Sequence, residues 1–247
     1  SGFLGYYITN YLKTNHSVEY TFYKNKIPNQ NGFELKIHDR NNVINLISKI
    51  NPDVVIHTPA LSVDLSETNH KLADLIHVNG VQNVIDGCKL TSSKLVYLST
   101  TYVFDGTKKF NEDDIPNPGN YYGLTKFRAE NLVKNSNLPF LILRTDQPYY
   151  WKQKWHHTNS VLRVLDTLSQ NKILKEVDNW YNVPTFVPDF VSALEKLLTL
   201  KKHGIFHLTG PDFTSRYDWS LLVAEIFELN KDLIHPISSS SLCVPAK

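Results

Sequence analysis

The sequence predicts an α/β protein whose core is a doubly wound parallel sheet. Four short runs rich in apolar, β-branched and aromatic residues are typical of strands: SVEYTFY (17–23), DVVIHT (53–58), KLVYLST (94–100) and FLILRT (140–145). Segments with a helical spacing of apolar residues lie between them. Because neighbouring parallel strands need crossover helices, this alternation favours a doubly wound sheet. At 247 residues the chain can form one such domain and carry a smaller lobe.

The elements follow one another in a regular order. SGFLGYYITNYL opens the chain as a helix, and further helices are expected over 41–50, 67–89, 121–135, 158–169, 189–200 and 216–229. Two more strands are expected at 172–177 and at GIFHLTG. The chain has no Met and starts inside a helical pattern, so we expect the first strand of the sheet to lie upstream of Ser1. SLCVPAK also ends without a closing element, so residues are expected to be missing at both ends.

Composition and charge argue against several classes of protein. The net charge is +2 and the 26 Lys and Arg residues are scattered, so no nucleic-acid partner is expected. No apolar run approaches the roughly 20 residues of a membrane-spanning helix, so we expect no membrane partner and a cytoplasmic location. Cys88 and Cys243 are too few for a zinc cluster, and the neighbours His156 and His157 have no carboxylate at metal spacing, so no metal is expected.

Two glycines stand at the head of the first helix. In GFLG, Gly2 and Gly5 flank Phe3 and Leu4. Free backbone N–H groups and the helix dipole attract an anion there, and glycine lets a phosphate approach the chain. These four residues are therefore candidates for binding a nucleotide pyrophosphate, although two glycines in an ordinary turn would look the same.

The residues after the SVEYTFY strand bear on the choice of cofactor. An acidic residue there binds the ribose 2′-hydroxyl of NAD, whereas this chain continues with Lys24, Asn25 and Lys26. A cation suits the 2′-phosphate of NADP, so NADP(H) is favoured over NAD(H) with Lys24 as its contact. Two lysines in a solvated turn are the alternative.

The stretch YYGLTK carries the strongest signal for catalysis. Tyr122 and Lys126 are four residues apart, so on a helix their side chains lie on the same face, whereas Tyr121 points about 100° away. A phenol has an ordinary pKa of about 10, and a nearby ammonium would lower the pKa of Tyr122 by stabilising its anion. Tyr122 is then the candidate proton donor, and Lys126 the group that holds the cofactor ribose.

A hydroxyl group at the end of a neighbouring strand would complete this set. Ligands of open α/β sheets bind at the carboxyl ends of the strands, and KLVYLST ends with Ser99 and Thr100. Only one of two adjacent residues can face the cleft. Thr100 is the candidate to bind the reacting carbonyl oxygen.

The chain resembles the extended short-chain dehydrogenase/reductase family through seven motifs in family order: SGFLG, PDVVIHTPA, HVNGVQN, STTYVFDG, NPGNYYGLTKFRAE, LILRT and VPTFVPDFVSAL. The match covers nearly the whole chain. Within that family, STTYVFDG followed by EDDIPNPGNYYGLTK is most similar to dTDP-4-dehydrorhamnose reductases and to the related regulatory β subunit of methionine adenosyltransferase.

This resemblance implies a Rossmann-type fold and adds candidate residues. It implies hydride transfer from the nicotinamide to a keto-sugar nucleotide, with Tyr122 giving the proton and Thr100 polarising the carbonyl. Asn79 matches an asparagine that the family keeps near the active-site end of a helix, although it could equally bind helix backbone. Ile37 would help to hold the adenine, and Ala60 would lie near the phosphates beside Pro59, which has no N–H to donate.

The resemblance also implies where the substrate binds. Ligand selection falls to DQPYYWKQKWHHTNS and NWYNVPT, where Trp151 and Trp180 are candidates to contact the substrate, although the first segment could equally be a surface loop. The expected division is a dinucleotide-binding domain over 1–147, with 178–209 returning to it, and a smaller C-terminal substrate lobe over 148–177 and 210–247. Arg216 could contact substrate or pair with Asp218. The expected partners are a nucleotide sugar and, in a homodimer, a second copy of the chain.

Three functions remain open from the sequence. The usual reductase string carries Asp where this chain has Thr101, and dehydratases carry an Asp-Glu pair after the threonine. Because elimination of water needs an additional acid and base, carbonyl reduction by NADP(H) is favoured over dehydration. A non-catalytic NADP-binding subunit of a methionine adenosyltransferase and a sugar-nucleotide epimerase are the alternatives.

Overall fold

A computed structural model describes residues 2–106 and 108–241. The helices are α1 (Phe3–Leu12), α2 (Arg40–Ile50), α3 (Val63–Thr68), α4 (His70–Ala73), α5 (Gly80–Thr91), α6 (Tyr121–Lys134), α7 (Ser160–Leu168), α8 (Val187–Thr199) and α9 (Arg216–Ile226). A π-helical turn (Asp74–Asn79) joins α4 to α5, and 3-10 turns span Thr101–Val103, Lys231–Leu233 and Ser239–Ser241.

The strands are mostly short. They are β1 (Thr21–Phe22), β2 (Phe33–Glu34), β3 (Val54–His57), β4 (Lys94–Thr100), β5 (Phe140–Thr145), β6 (Pro148–Tyr149), β7 (Leu174–Val177), β8 (Tyr181–Asn182), β9 (Thr185–Phe186), β10 (Gly204–His207), β11 (Thr214–Ser215) and β12 (Ile234–Ile237). Four of them form the central sheet in the order β10-β5-β4-β3, and every pair in it is parallel.

The strand β4 shows how the two faces of this sheet are covered. Side chains alternate between faces along a strand. Leu95 and Tyr97 pack with α2, α5 and α6, whereas Val96 and Leu98 pack with α1 and α8. Helices therefore cover both faces, and the prediction of a doubly wound parallel sheet is confirmed.

A third apolar cluster lies outside the two layers of the sheet. It joins α7, β7, α9 and β12 through Val164, Leu168, Leu174, Val223, Ala224 and Ile234. Strand β10 meanwhile pairs with β5 of the central sheet. The division into a dinucleotide-binding domain and a substrate lobe stays a prediction that agrees with these contacts, and the lobe's last residues, 242–247, lie outside the described part.

Two expected elements differ from the structure. The strand expected over 17–23 is only Thr21–Phe22, and it pairs with β2 rather than with the four-stranded sheet. The helix expected over 67–89 is interrupted at Asn69, whose side chain accepts a hydrogen bond from the Leu72 N–H and so caps a new helix. Asparagine competes for backbone donors in this way, and the periodicity of apolar residues does not reveal it.

Two further sequence expectations can be compared with the described residues. Within 2–106 and 108–241, no helix combines the length and the apolar character needed to cross a membrane. Cys88 is buried in α5, and burial raises the pKa of its thiol to about 12. Cys243 lies outside the described residues.

Candidate functional site

The YYGLTK stretch forms the first turns of α6. The Asn120 side chain accepts a hydrogen bond from the Gly123 N–H at 2.8 Å and caps the helix. At Gly123 the helix runs against the backbone of the 101–103 turn, because an added Cβ would lie 2.0 Å from the Tyr102 carbonyl oxygen. Glycine at this position therefore allows α6 to approach the end of β4.

The two neighbouring tyrosines have different surroundings. The Tyr121 ring stacks on His70 with centroids 3.6 Å apart, and its hydroxyl donates to Asp74 at 2.8 Å. Tyr122 instead faces the strand ends, where it meets the Tyr102 ring edge-on at 5.8 Å and where the Thr100 side chain acts to lower its pKa. The structure therefore brings Tyr122, and not Tyr121, to Thr100.

The two hydroxyl groups at the end of β4 also point different ways. Ser99 donates to the Glu130 carboxylate at 2.6 Å, inside the protein. Thr100 accepts from the Tyr102 N–H at 3.2 Å and acts to lower the pKa of Tyr122. Alternation along the strand separates them, and Thr100 is the hydroxyl at the site.

Lys126 lies one turn along α6 from Tyr122 and is 2% exposed. Its ammonium donates to the Leu98 carbonyl at 2.6 Å and lies 4.2 Å from the centroid of the Tyr97 ring. Burial lowers the pKa of Lys126 to about 7, and Glu130 opposes this shift. The ammonium is therefore near its titration point at neutral pH.

The expected lowering of the Tyr122 pKa by Lys126 is wrong for this structure. Burial raises the pKa of Tyr122 above its ordinary value, with a further contribution from Tyr102, and the Thr100 side chain acts in the opposite direction. Burial removes the water that would stabilise the phenolate, and the neighbouring groups do not stabilise it to the same extent. Lys126 is bound to Leu98, so the arrangement favours a protonated Tyr122.

Asn79 lies where the π-helical turn meets α5, and its expected role stays a prediction. Its side chain is exposed and makes no capping hydrogen bond. His77, two residues earlier in the π-helical turn, is 1% exposed and meets the Tyr122 ring edge-on at 5.5 Å. Its Nδ1 lies 2.8 Å from the Thr125 hydroxyl and its Nε2 accepts from the Leu61 N–H at 2.9 Å. The π-helical turn, which spacing alone does not predict, selects His77 as the residue beside Tyr122.

Arg216 and Trp180 lie together at the mouth of the site. The Arg216 guanidinium covers the Trp180 ring at 4.3 Å, and it donates to Asn182 at 3.3 Å and to the Tyr102 hydroxyl at 3.4 Å. Asp218 is bonded to Ser215 instead. The sequence left open whether Arg216 pairs with Asp218 or contacts the substrate. In the structure Arg216 contacts Tyr102, whose ring in turn contacts Tyr122.

Trp151 lies beside α1, and its expected contact with the substrate stays a prediction. The Tyr7 hydroxyl of α1 donates to the Trp151 carbonyl, and the residue is 58% exposed. Its neighbour His156 is buried against the rings of Phe3, Tyr6 and Trp155. This segment packs on the head of α1, which a single sequence does not show.

Asp146 is a site residue that we did not predict. It follows β5 directly, is 4% exposed, and accepts hydrogen bonds from Asn182 and from the Val183 N–H, both at 3.0 Å. Burial raises its pKa, and Val183, Asn182, Arg216 and the Thr101 side chain oppose the shift. Its position at the carboxyl end of a predicted strand was the signal available in the sequence.

Most of the residues expected to hold a cofactor are exposed or half-buried. Gly2 is the exposed N-cap of α1, while Phe3 and Leu4 pack into the core below Gly5. Lys24 is exposed beyond β1, and Ala60 is exposed beyond β3. The Ile37 carbonyl accepts from the Asn83 side chain at 3.0 Å, so the part of Ile37 available to a ligand is its half-buried side chain.

A cavity of ≈ 180 Å³ adjoins this site in the lobe. Its walls include Asn182 and Arg216 together with Gln147, Arg163 and Trp219. Arg216 links the cavity to Tyr102 and hence to Tyr122. Among the described residues, no group of three His, Cys, Asp or Glu side chains is arranged to hold a metal ion.

Comparison with known proteins identifies the relatives of the chain. The family described as RmlD substrate binding domain matches residues 1–247. Methionine adenosyltransferase 2 subunit beta from Bos taurus is 28% identical over 84% of this chain and 64% of that protein. dTDP-4-dehydrorhamnose reductase from Aggregatibacter actinomycetemcomitans is 32% identical over 77% of this chain and 66% of that protein. The chain thus spans about two thirds of the length of these relatives or slightly less.

Solved structures agree with this result. A hypothetical dTDP-4-dehydrorhamnose reductase from Sulfolobus tokodaii superposes with a TM-score of 0.88 at 30% identity, covering 98% of this chain and 85% of that one. A Bacillus anthracis dTDP-4-dehydrorhamnose reductase in complex with NADP shares the fold, with a TM-score of 0.82 at 24% identity over 93% of this chain and 86% of that one. The resemblance to reductases of the short-chain type is confirmed.

Proposed function

The chain belongs to the RmlD substrate binding domain family, and we propose that it reduces the 4-keto group of a deoxy sugar nucleotide with NADPH. The observation that carries this proposal is the packing of the first turn of α6 against the end of β4, which sets Tyr122 beside the turn that follows Thr100, with Lys126 one helical turn away. Thr100 can donate a hydrogen bond to a carbonyl oxygen, and Tyr122 can supply a proton. Both lie at the carboxyl end of a central strand, where such folds bind ligands.

Each residue of this set has a distinct task. Thr100 would bind the carbonyl oxygen, and Tyr122 would give that oxygen its proton as the carbonyl carbon is reduced. The raised pKa of Tyr122 keeps the phenol protonated at neutral pH, as a donor must be. Lys126 would hold the ribose hydroxyls beside Tyr122. A reduced nicotinamide, when bound, supplies the hydride.

The residues present fit a dinucleotide. Helix α1 starts at Gly2 without a side-chain cap, and nothing lies within 4 Å of the position of a Gly2 Cβ. The first backbone N–H groups of the helix are therefore open to a pyrophosphate. Lys24 stands just beyond β1, exposed, where a cation favours a 2′-phosphate, so we propose NADP(H) over NAD(H).

The cavity beside Tyr102 is the proposed place for the nucleotide sugar. Arg163 and Arg216 both line it, and guanidinium groups bind phosphate oxygens with two parallel hydrogen bonds. The Trp180 face supports Arg216 at 4.3 Å, so this cation is already oriented before a ligand arrives. A diphosphate bound here would bring the attached sugar towards Thr100 and Tyr122.

Substitution of Tyr122 tests the proposal. With dTDP-4-dehydrorhamnose as substrate, Tyr122→Phe should lower the rate of NADPH oxidation at least about 100-fold, because the proton donor is removed. Binding of NADPH, followed by its fluorescence, should change little. Tyr121→Phe is the matched control, since it removes a phenol bonded to Asp74 on the adjacent position, and it should retain activity.

Two results would count against the proposal. Equal activity of the Tyr122→Phe and parent proteins would show that this phenol is not the donor. No turnover of any keto-sugar nucleotide by the parent protein would remove the reductase hypothesis itself.

A second candidate function comes from the similarity to methionine adenosyltransferase 2 subunit beta. We propose as the alternative that the chain binds NADP as a non-catalytic partner of a methionine adenosyltransferase. Co-elution with that synthetase in size-exclusion chromatography, combined with absence of turnover, would favour this function. Interconversion of sugar nucleotides without net NADPH consumption would instead indicate an epimerase.

A further inference from the structure

Asp146 links the reaction site to the lobe through a continuous chain of contacts. Its carboxylate accepts from the Asn182 amide, and the Asn182 carbonyl oxygen in turn accepts from the Arg216 guanidinium at 3.3 Å. On the other side, the side chain of Thr101, the residue after Thr100, helps to lower the pKa of the carboxylate. One buried carboxylate therefore interacts with both the turn that follows Thr100 and the residue that orients Arg216.

The backbone at Asp146 is held as firmly as its side chain. The Thr185 hydroxyl donates to the Asp146 carbonyl at 2.7 Å. The next residue, Gln147, has φ = 39°, in the left-handed region that a residue with a side chain adopts only at a cost of roughly 1 kcal/mol or more. A strained turn directly beside the strand end, fixed by several hydrogen bonds, indicates that the position of this carboxylate is closely defined.

The residue at position 101 differs from the pattern that the chain resembles. The reductase string that STTYVFDG resembles carries an aspartate at the position of Thr101. Here a carboxylate lies at the end of the neighbouring strand β5, and the Thr101 side chain helps to lower its pKa. A negative charge is thus present near the 101–103 turn.

We propose that Asp146 is the positioning residue of the site, holding the Thr101–Tyr102 turn and, through Asn182, the Arg216 guanidinium that binds the nucleotide diphosphate. This inference rests on the proposed function, because it assigns Arg216 to the substrate of that reaction. The role differs from that of a catalytic residue, since the Asp146 oxygens are bonded to Asn182 and Val183.

Asp146 also acts on Tyr122 through its charge. The carboxylate raises the pKa of Tyr122, as burial and Tyr102 do. The charged and titratable groups around Tyr122 are His77 from the π-helical turn, Tyr97 from β4, Tyr102 from the 3-10 turn, Lys126 from α6, Asp146 from the end of β5, Arg216 from α9 and Glu67 from α3. Neutralising Asp146 therefore lowers the pKa of Tyr122. As the pH is raised, the rate of reduction should then begin to fall at a lower pH than in the parent protein, because Tyr122 loses its proton at a lower pH.

The experiment compares Asp146→Asn with the parent protein in two measurements. Calorimetric titration with dTDP should show affinity reduced roughly tenfold, because Arg216 loses its fixed partner. The alkaline limb of the pH profile of kcat/KM should move to lower pH. Asp166→Asn is the matched control, since Asp166 is an exposed carboxylate on α7 of the lobe, and it should leave both measurements unchanged.

Two further variants keep the proposal testable if Asp146→Asn does not fold. Asn182→Ala breaks the same chain of contacts at its centre and should weaken dTDP binding to a similar extent. The double variant Thr101→Asp with Asp146→Ser moves the carboxylate back to the turn and should restore the alkaline limb of the profile.

The outcomes separate this proposal from the proposed function. Unchanged dTDP affinity and an unchanged pH profile in a folded Asp146→Asn protein would overturn the role of Asp146. A parent protein that binds dTDP but reduces no keto-sugar nucleotide would overturn the reductase function alone, because the dTDP measurement still reports on Asp146.

Discussion

Lys126 is a buried cation with little solvent to stabilise its charge. Its partners are the Leu98 carbonyl, the face of the Tyr97 ring and, more distantly, the Glu130 carboxylate. These contacts do not replace full hydration, so burial lowers the pKa of Lys126 to about 7. The buried Lys126 ammonium, which we propose holds the cofactor ribose, therefore lowers the stability of the fold.

The stability of the protein should therefore depend on pH through Lys126. In the unfolded chain Lys126 has the ordinary lysine pKa of about 10, whereas in the folded protein its pKa is about 7. Between these values the unfolded state holds more protons, so the free energy of unfolding rises with pH; below pH 7 both states are protonated and this contribution is constant.

Lys126→Met isolates this contribution. The variant should lose activity, be at least as stable as the parent at pH 6, and show a smaller rise in the free energy of unfolding between pH 7 and 9 in urea titrations. Parallel pH curves for the two proteins would contradict the assignment.

At the scale of an element, the position of α6 depends on a close approach of two backbones. Gly123 in its first turn faces the Tyr102 carbonyl, and the capping side chain of Asn120 fixes where the helix begins. The same first turn carries Tyr122 to Thr100.

Gly123→Ala tests this approach. Alanine gains up to about 1 kcal/mol in helix propensity, but the new Cβ would lie 2.0 Å from the Tyr102 oxygen. Overpacking costs about 1–3 kcal/mol, so we expect a net loss of stability in urea unfolding and a lower kcat. Gly2→Ala, where nothing lies within 4 Å of the added atom, should cost only the smaller preference of alanine for an N-cap, about 1 kcal/mol or less, and leave the packing unchanged. A Gly123→Ala protein with parental stability and kcat would disprove the close approach.

At the scale of the whole molecule, one buried ion pair joins the site helix to the sheet. Arg144 of β5 donates two hydrogen bonds to Glu130 of α6, at 3.0 and 2.8 Å, and both side chains are at most 1% exposed. Ser99 of β4 and His207 of β10 extend the network to three adjacent strands. Through Glu130 this network holds the helix that carries Tyr122 and Lys126.

Breaking and replacing this pair should have opposite effects. Arg144→Met leaves the Glu130 carboxylate buried without its partner and should reduce the free energy of unfolding by about 3–5 kcal/mol. The double variant Arg144→Met with Glu130→Leu removes both charges and should recover most of that loss. Chemical denaturation of the four proteins of this cycle measures the coupling, and additive losses would show that the two residues act independently.

Much of the fold follows from local pattern, but the site follows only in part. Strands β3, β4 and β5 and helices α2, α6 and α8 lie within a few residues of their expected positions, because each has a periodicity that packing on a sheet requires. Thr100, Tyr122 and Lys126 were predicted from spacing within one helix and from one strand end. His77, Asp146 and the place of Arg216 were not, because a π-helical turn and contacts between distant segments bring His77 and Asp146 to Tyr122 and Arg216 to Tyr102.

The sequence by itself determined the parallel sheet, the pairing of a phenol and a lysine on one helical face, and the family. Only the tertiary structure decided the protonation of those groups and the identity of their neighbours. Helical and strand periodicities are local properties of the chain, so they can be predicted residue by residue. The pKa of Tyr122 depends on burial and on residues 20 to 24 positions away in the sequence, and Asp146 and Thr101 are 45 positions apart; these neighbours come together only once the chain is folded.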